Sequence, residues 1–462
     1  MRKKQPNIRM LFLLVMLCRL PALIYYYPCA MPADTNASIE QFMGYPDLSV
    51  QLSAGDGLTT FCDHLPFAYT LLFGITMQIG NIIGSQNVAF FILALLQTML
   101  MTALILTALR LIFRHNYSSR LFYAAIGAYI AYPYFSVWTM TLIKDMGFSI
   151  MMLWLSTLML CIGYTRGRIL RQRRFCIMLT LAMFLFTLSK NQCIYILLLL
   201  FPLSLLLYRQ QWRRLCLCYG SAFILFFGLW HRVVFPLANV TEVGRQEIMG
   251  TMFQQTARYV IDHPDDINPD EKTAINKVLP LDSLPAFYNP QLQDPVKFRY
   301  HKQASSADMA TYRETWLKQG LRHPDSYINA VTDCCSAFFN PLMNVTGMAS
   351  ADLQLGDSIT QHLDSIHSLI PDKRTSFFFL QKIPVLGILC RPGIAFWLYT
   401  LLTVMVVWRR RWHMLLPISI GIVQIMTLIV SPANGEYRYI MPLMWCLPIL
   451  FYAFHVRKNT IA

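Results

Sequence analysis

Charged residues are scarce in this chain. Asp, Glu, Lys and Arg make up 14% of its 462 residues, hydrophobic residues make up 55%, and the mean hydropathy is +0.43. A soluble globular domain has about 25% charged residues, so this composition excludes that class. A membrane-spanning helix needs roughly 20 mostly apolar residues. Such runs predict an all-α polytopic membrane protein with about ten transmembrane helices, near residues 10–27, 88–112, 121–140, 146–163, 175–189, 193–208, 215–235, 391–408, 414–431 and 439–455.

Lys and Arg are absent between Pro28 and Asn87, although the whole chain has a formal net charge of +15. The same segment contains five carboxylates: Asp34, Glu40, Asp47, Asp56 and Asp63. Cytoplasmic ends of membrane spans are enriched in Lys and Arg. We therefore predict that this acidic loop lies outside the cell and that the N-terminus is cytoplasmic.

The basic residues show the complementary pattern. About half of them fall at the predicted inner ends of spans: Arg2, Lys3, Lys4, Arg9, Arg110, Arg114, Arg120, Arg166, Arg168, Arg171, Arg173, Arg174, Arg209, Arg213, Arg214, Arg409, Arg410, Arg411, Arg457 and Lys458. The pattern holds only if the apolar segment 66–84 does not cross the membrane, so we predict a juxtamembrane or re-entrant helix there. Both termini are then cytoplasmic in a multi-pass protein of the cell membrane. Basic clusters at span ends meet lipid headgroups, so nucleic acid is not an expected partner.

Hydropathy divides the chain into three predicted parts. They are an N-terminal transmembrane module (1–235) with its acidic first outer loop (28–87), a small helical extracytoplasmic domain (236–382) and a C-terminal transmembrane module (383–462). In the outer domain, helices are predicted at 246–261, 308–321 and 325–339, the last with Asp325 as its N-cap, because each helix ends before a proline. Residues 262–300 are predicted to be mostly loop.

Several motif classes are missing. The sequence has no credible P-loop, H-E-x-x-H, G-x-S-x-G or Rossmann glycine pattern, and no C-x-x-C pair among its 12 cysteines. Cys29 and Cys62 both lie in the acidic loop, either as a disulfide or as free thiols.

The predicted outer loops contain the candidate reactive groups. Asp34 and the pair Asp63-His64 could accept a proton or hold a hydroxyl group, or the two aspartates could cap helices. Lys144-Asp145 stands in the second outer hairpin and Lys190 in the third. These charges could act on a substrate or mark the ends of spans by reaching to water.

The last outer loop contains Glu436 and Arg438 around an aromatic residue. Arg is well suited to binding a phosphate oxygen pair, whereas the alternative is an interfacial aromatic belt with one ion pair. Arg245, Gln255 and Arg258 offer a further cationic and amide surface in the outer domain, or a solvated helix face.

Parts of this pattern resemble a known family. Asp34 early in the first outer loop, His64-Leu65-Pro66 before an apolar helix, and Asp145 in Leu142-Ile143-Lys144-Asp145-Met146 resemble the membrane glycosyltransferases of the GT-C superfold. That group includes protein O-mannosyltransferases and lipid A aminoarabinose transferases. The chain departs from it at Leu65, since relatives place the proline sooner, and at Lys144, where they have a small polar residue.

Later stretches resemble an uncharacterised bacterial family of multi-span proteins related to that superfold. They are Gln254-Gln255-Thr256-Ala257-Arg258, Tyr288-Asn289-Pro290, Asp294-Pro295-Val296-Lys297 and Gly435-Glu436-Tyr437-Arg438-Tyr439.

The resemblance implies transfer of a sugar from a polyprenyl-phosphate-linked donor to an acceptor on the outer face. Asp34 would be the base or the orienting carboxylate for the acceptor hydroxyl, and Asp145 would support it or bind sugar hydroxyls. Binding of the donor phosphate or the substrate would fall to Lys144, Lys190, Arg438, Glu436, Asp63, His64, Arg245, Gln255 and Arg258. A divalent metal bridging Asp34 and Asp145 is a further expectation. The implied partners are a lipid-linked sugar donor and membrane lipid.

Three other functions stay open on the sequence alone. A transporter or flippase for a lipid-linked solute would need ionisable residues deep within several spans. A polysaccharide polymerase or ligase would share the donor type. A receptor or scaffold would leave the outer-loop carboxylates without a task. The oligomeric state is likewise open.

Overall fold

The computed structural model describes residues 6–55, 57–116, 118–343, 383 and 385–455, and it is mostly helical. Its α-helices are α1 (Ile8–Tyr25), α2 (Ala33–Phe42), α3 (Leu48–Ser53), α4 (Phe67–Ile83), α5 (Gln86–Asn116), α6 (Ser119–Ala131), α7 (Pro133–Thr139), α8 (Lys144–Tyr164), α9 (Arg173–Ser189), α10 (Cys193–Leu207), α11 (Trp212–Phe223), α12 (Phe235–Leu237), α13 (Arg245–Asp262), α14 (Pro269–Asn276), α15 (Leu284–Phe287), α16 (Asp294–Lys297), α17 (Ser306–Arg322), α18 (Pro324–Phe339), α19 (Leu386–Leu389), α20 (Gly393–Trp408), α21 (Leu415–Thr427) and α22 (Tyr437–Phe454). A π-helix, Ile224–Val234, joins α11 to α12.

Six helical segments are long and apolar enough to cross a membrane. They are Ile8–Tyr25, Gln86–His115, Lys144–Tyr164, Arg209–Leu237, Trp412–Val430 and Tyr437–Phe454. The chain is therefore an all-α multi-pass membrane protein. Helices also occupy the other four predicted positions. However, α9, α10 and α20 have only 17, 15 and 16 residues, fewer than the roughly 20 that a membrane span needs.

The predicted span at 121–140 is not one continuous helix. It is split into α6 and α7 at Tyr132, which has extended backbone dihedrals. Pro133 follows, and a proline has no N–H for the helix and disfavours helical geometry at the preceding residue.

Helix α8 is central to the bundle. It packs along α22, and 78% of the residues in the apolar window of each helix are buried. At about 1.5 Å per residue, the 21 residues of α8 span roughly 31 Å. Gly163 permits close packing at its C-terminal end, since a Cβ there would lie 2.3 Å from the carbonyl oxygen of His413.

The segment predicted to be the outer domain has a core of its own, and we keep that name for it. Helices α13 to α18 enclose buried Phe253, Tyr259, Ile275 and Tyr312. Capping boxes begin two of the helices, Asn268 with Glu271 at α14 and Ser305 with Asp308 at α17. The predicted helices at 246–261 and 308–321 are confirmed to within two residues as α13 and α17.

Two predictions for this domain were wrong. Residues 262–300 are not mostly loop, because α14, α15 and α16 lie there together with two 3-10 helices, Pro264–Asp266 and Leu281–Ser283. Asp325 is not the N-cap of α18: His323 is, Pro324 takes the first helical position, and Asp325 lies in the first turn. The expected domain end at 382 falls outside the described residues, as do Asp56 and the terminal basic residues.

Short backbone ladders join the first outer loop to the rest of the molecule. Strand β1 (Phe61–Cys62) pairs in parallel with β2 (Val240–Thr241), at the entrance to the outer domain. Ala30 bridges Thr141 just before α8. The loop is thus fixed to the outer domain and to the start of the central helix.

Cys29 and Cys62 are both buried, and Cys62 is a free thiol. Burial raises the pKa of the Cys62 thiol to about 11. The structure therefore has no disulfide between Cys29 and Cys62, which was one of the two alternatives that the sequence left open.

Candidate functional site

Asp34 is shared by two cations from distant parts of the chain. Its Oδ2 atom lies 2.9 Å from Lys144 Nζ and 2.9 Å from Arg438 Nη1. The Asp34 side chain is 24% exposed and the two cations less. Helices α2, α8 and α22 each contribute one of the three residues within their first turn.

The backbone explains why α2 and α8 begin side by side. The N–H of Ala30 donates to Met140 O, and the N–H of Leu142 donates to Ala30 O, each at 2.9 Å. The hydroxyl of Thr35 donates to Leu142 O. These bonds hold the first turns of both helices together, so Lys144 can reach Asp34.

A second ion pair lies beside the first. Lys190 Nζ is 2.7 Å from Asp145 Oδ1 and 4.3 Å from the centre of the Tyr439 ring. Arg438 Nε is 3.3 Å from Glu436 Oε2. Asp145 is buried, and its Oδ2 atom has no hydrogen-bond partner among the described residues. That oxygen is a buried acceptor whose hydrogen-bonding capacity is unused among the described residues.

We call this group the cation–carboxylate cluster. It comprises Asp34, Lys144, Asp145, Lys190, Glu436 and Arg438. Three positive side chains face three negative ones. The cluster is neutral as it stands, so an added anion would have to displace a carboxylate from a cation.

Burial and charge act in opposite directions on these groups. Burial alone would raise the pKa of Asp34, but Arg438 and Lys144 outweigh it and hold the pKa well below its usual range. Burial raises the pKa of Glu436, against the attraction of Arg438. Burial lowers the pKa of Lys190, against the attraction of Asp145. Asp34 is therefore an anion at neutral pH and a weak base while both cations remain bound to it.

Three helix N-termini converge on the cluster, and no side chain caps any of them. The N-cap residues are Pro32 for α2, Ile143 for α8 and Glu436 for α22. The first N–H groups of a helix lack intrahelical acceptors and attract anions. The backbone thus adds to the positive potential that Lys144, Lys190 and Arg438 provide.

An apolar groove lies between α6, α20 and α22. It has a volume of about 460 Å³ and runs from Tyr132 and Leu389 to Tyr452 and His455. Alanines 124, 125, 128 and 131 line one wall. The hydroxyl of Tyr132 is hydrogen-bonded to that of Tyr437, the residue before Arg438, so one end of the groove contacts the first residue of α22.

Asp63 and His64 belong to a second group. Asp63 Oδ1 accepts the N–H of Phe67 at 3.0 Å and so caps α4. His64 Nδ1 lies 3.6 Å from Glu247, which also binds Lys297 at 3.0 Å. Asn191 donates to Asp63 O at 2.8 Å, next to Lys190. Asp63 and His64 thus contact a helix start and Glu247, and within the described residues neither contacts the cation–carboxylate cluster.

The acids of this second group have opposite pKa shifts. Burial raises the pKa of Asp63 to about 7, although the N–H of Phe67 opposes it. Burial would also raise the pKa of Glu247, but His64 and Lys297 outweigh it and lower the pKa to about 2.

Three predicted site residues do not contact the cation–carboxylate cluster within the described chain. Arg245 donates to Ala304 O and Ser306 Oγ. Gln255 bonds Tyr327 O and Trp316 Nε1. Arg258 pairs with Asp262 and Asp333. These contacts lie within the outer domain, where they stabilise its helices.

One family model matches this chain. The Family of unknown function (DUF6020) matches residues 56–461. The chain belongs to this family. No curated protein and no solved structure matches it. Five of the six cluster residues fall within the matched DUF6020 region, and Asp34 precedes it.

The cluster of this DUF6020 chain does not fit the expected divalent metal. Lys144 and Arg438 share one oxygen of Asp34, and Lys190 binds Asp145. A cation bridging the two carboxylates would meet three side chains of like charge at short range. The donor set suits a phosphate-bearing anion better.

Sequence reasoning missed several neighbours of the site. One is Tyr439, whose ring contacts Lys190. It belongs to the last predicted outer loop but is not among the predicted site residues. Glu247 gave no sequence signal, because its contacts to the first outer loop depend on tertiary packing.

Replacing Asp63 by Asn should stabilise the protein near neutral pH. An acid whose pKa is raised in the folded state stabilises that state below its unfolded pKa, near 3.8, and this contribution is lost as pH rises towards 7. Asp63→Asn removes the buried charge and keeps a side chain that can cap α4. We expect a gain of about 2–4 kcal/mol at pH 8, shrinking towards pH 4, in unfolding measurements on the purified protein.

Asp63→Ala is the matched control for the cap. It also removes the charge but loses the hydrogen bond to Phe67, which costs about 1 kcal/mol. It should therefore gain less than Asp63→Asn. A protein whose stability at pH 8 falls in both variants would contradict a buried, unfavourably charged Asp63.

Proposed function

We propose that this protein is a membrane glycosyltransferase. It moves a sugar from a polyprenyl-phosphate-linked donor to an acceptor on the extracytoplasmic face. The observation that supports the proposal is the cation–carboxylate cluster at the start of α22, together with an apolar groove whose end contacts the first residue of that helix. A lipid-linked sugar phosphate needs both surfaces, one for its charged phosphate and one for its prenyl chain.

The cations suit the leaving group. Negative charge builds up on the donor phosphate as the bond to the sugar breaks, and fixed cations stabilise that charge in a partly dry site. Arg438 can give a phosphate two parallel N–H donors. Lys144, Lys190 and the three uncapped helix ends add to the same potential.

Phosphate binding would also prepare the base. While Asp34 is bound to Lys144 and Arg438, its low pKa makes it a weak proton acceptor. A donor phosphate competes for the same two cations. Once they turn to the phosphate, the pKa of Asp34 rises, and the carboxylate can take the proton from the acceptor hydroxyl as that oxygen attacks the sugar carbon. The charge of the donor thus couples binding to catalysis.

The groove suits the lipid chain. Its walls are apolar, and alanines on α6 leave room beside α22. The end near Tyr132 contacts Tyr437, the residue before Arg438. A prenyl chain lying there would present its phosphate to the cluster.

The topology proposed with this function has ten spans and both termini in the cytoplasm. It counts α6 with α7, α9, α10 and α20 as crossings and leaves α4 at the outer side. The cluster and the domain that begins at residue 236 then face outwards, where nucleotide sugars are absent and lipid-linked donors are the available source.

Transport of a lipid-linked anion is the second candidate. Arg19 favours this candidate, because it is buried in α1. Its Nη1 donates to Thr102 Oγ1 at 2.8 Å, and its other two guanidinium nitrogens have no hydrogen-bond partner among the described residues. A cation at such depth is costly and commonly functional. Flipping would, however, require further polar groups along the path.

Labelling of introduced cysteines tests the orientation. Asp265 in the outer domain and Arg173 at the start of α9 are both exposed. A membrane-impermeant maleimide should label an Asp265→Cys variant in intact cells and an Arg173→Cys variant only after lysis. The parent protein, with its native cysteines, supplies the background. The reverse pattern would place the cluster in the cytoplasm and remove the proposed donor.

Asp34→Asn tests the proposed chemistry. The variant keeps the size of the side chain but cannot accept the proton, so we expect a loss of at least about a hundredfold in sugar transfer. The measurement compares surface glycans and accumulated lipid-linked sugar in cells that depend on the protein. Asp47→Asn is the control, because Asp47 lies in the same loop and caps α3, a task that Asn performs equally well.

Membrane levels of each variant must be measured, since Asp34→Asn leaves two cations without their anion. Asp34→Glu keeps the charge and moves the carboxylate by one methylene. It should restore normal levels while activity stays at least about tenfold reduced, because the base is misplaced. Normal glycans in Asp34→Asn cells would reject Asp34 as the base.

A further inference from the structure

A large basic cavity lies at the end of the bundle opposite the cation–carboxylate cluster. Its volume is about 670 Å³, and it is formed where the loops α8–α9, α10–α11 and α20–α21 meet. Arg166, Arg209 and Arg410 line it, one from each loop. Tyr208 and Trp412 add aromatic rings to the wall.

The three arginines have no counter-charge among the described residues. None of the residues that line the cavity is Asp or Glu. The sequence has no Asp or Glu between Asp145 and Glu242, nor anywhere in 373–435. In the part of the chain that the structure describes, none of the three guanidinium groups makes an ion pair or a hydrogen bond. Their donors are therefore available to an anion from outside this part of the chain.

The backbone places two of these arginines in an unusual conformation. Arg166 has a φ of 49° and Arg410 a φ of 50°. Residues other than glycine rarely adopt the left-handed region, and clusters of such residues often mark functional sites. Glycine would fit both positions with less strain, yet each has a long cationic side chain at the cavity.

The packing of α8 fixes the position of the cavity walls. Gly163 lies so close to His413 that any side chain on it would clash with the backbone of the α20–α21 loop. This contact holds Arg410 and Arg166 on neighbouring loops. The arginines therefore share one cavity and do not belong to independent loops.

The rim of the cavity is apolar and exposed. Leu206 is 76% exposed and Trp412 is 52% exposed. Trp is enriched where membrane meets water, and an exposed leucine beside it suits an acyl chain. A soluble phosphate compound would gain nothing from this rim, whereas a lipid would use both rim and arginines.

We infer that this cavity binds the phosphate headgroup of an anionic membrane phospholipid. The guanidinium groups donate to phosphate oxygens, and the acyl chains lie along Leu206 and Trp412. Basic pockets between spans are suited to such headgroups. One bound lipid would tie three loops together and stabilise the bundle at that end. The inference is independent of the proposed transferase activity.

Lipid binding by the full-length protein, purified in a neutral detergent, tests this inference. The probes are phosphatidylglycerol, phosphatidylcholine, and inorganic phosphate and pyrophosphate, and binding is measured by native mass spectrometry and by the shift in thermal unfolding. We expect phosphatidylglycerol to bind and stabilise. The triple variant Arg166→Gln, Arg209→Gln, Arg410→Gln should bind phosphatidylglycerol about tenfold more weakly, since each lost guanidinium group removes charge-assisted hydrogen bonds to the phosphate.

The matched control removes the same charge from the same end of the bundle. Arg173, Arg174 and Arg409 are exposed and do not line the cavity, so changing all three to Gln should weaken binding less than about threefold. Equal loss in both triple variants would reduce the effect to diffuse surface charge and overturn the inference. So would equal binding of phosphatidylcholine, or of pyrophosphate at the same concentrations as phosphatidylglycerol. If the triple cavity variant does not fold, Arg166→Gln and Arg410→Gln singly should each weaken binding by about threefold, and unchanged binding in both would also overturn it.

Discussion

The structure depends on how it compensates charge that is partly removed from water. Asp34 can remain ionised because Lys144 and Arg438 both contact the same oxygen. Removing one partner from such a group leaves an uncompensated charge, which is far costlier than the pair itself is stabilising. The fold therefore has to bring the first turns of α2, α8 and α22 to one point, and the bridge between Ala30 and Thr141 does this for two of them.

The two ends of the bundle differ in how their cations are compensated. At the cluster, every cation has a carboxylate, so the site is neutral until an anion arrives and exchanges partners. At the opposite cavity, Arg166, Arg209 and Arg410 pair with no carboxylate within the described ranges, so an anion can bind there without displacing one. The first arrangement suits a ligand that binds, reacts and leaves. The second suits a resident lipid.

Sequence patterns predicted the positions of the helices better than their continuity. Apolar runs located helices at all ten expected positions, because hydrophobicity is a local property. The break at Tyr132 was missed, since a proline in an apolar run can either kink a helix or end it. The short helices between 262 and 300 were missed, since a loop-like composition does not exclude short helices. Asp63 was recognised as a potential cap and is one.

The sequence also predicted some of the residues of the cation–carboxylate cluster. A charge that stands in a short apolar hairpin is unusual on its own, so Lys144, Asp145, Lys190 and Arg438 could be singled out individually. Their pairing could not be predicted, because Asp34 and Arg438 are 404 positions apart. Arg258 and Gln255 carry the same chemical groups, yet they are engaged within the outer domain. Only tertiary packing distinguishes the residues that form the cluster from Arg258 and Gln255.

Binding of polyprenyl phosphate to the purified protein is the most direct test of the central claim, that a phosphate and a prenyl chain are recognised together. Polyprenol and inorganic phosphate serve as the two halves of the ligand. The account predicts that polyprenyl phosphate binds at least about tenfold more tightly than either half, and that Arg438→Gln removes the advantage over polyprenol. Equal affinity for polyprenol and polyprenyl phosphate in the unaltered protein would contradict it.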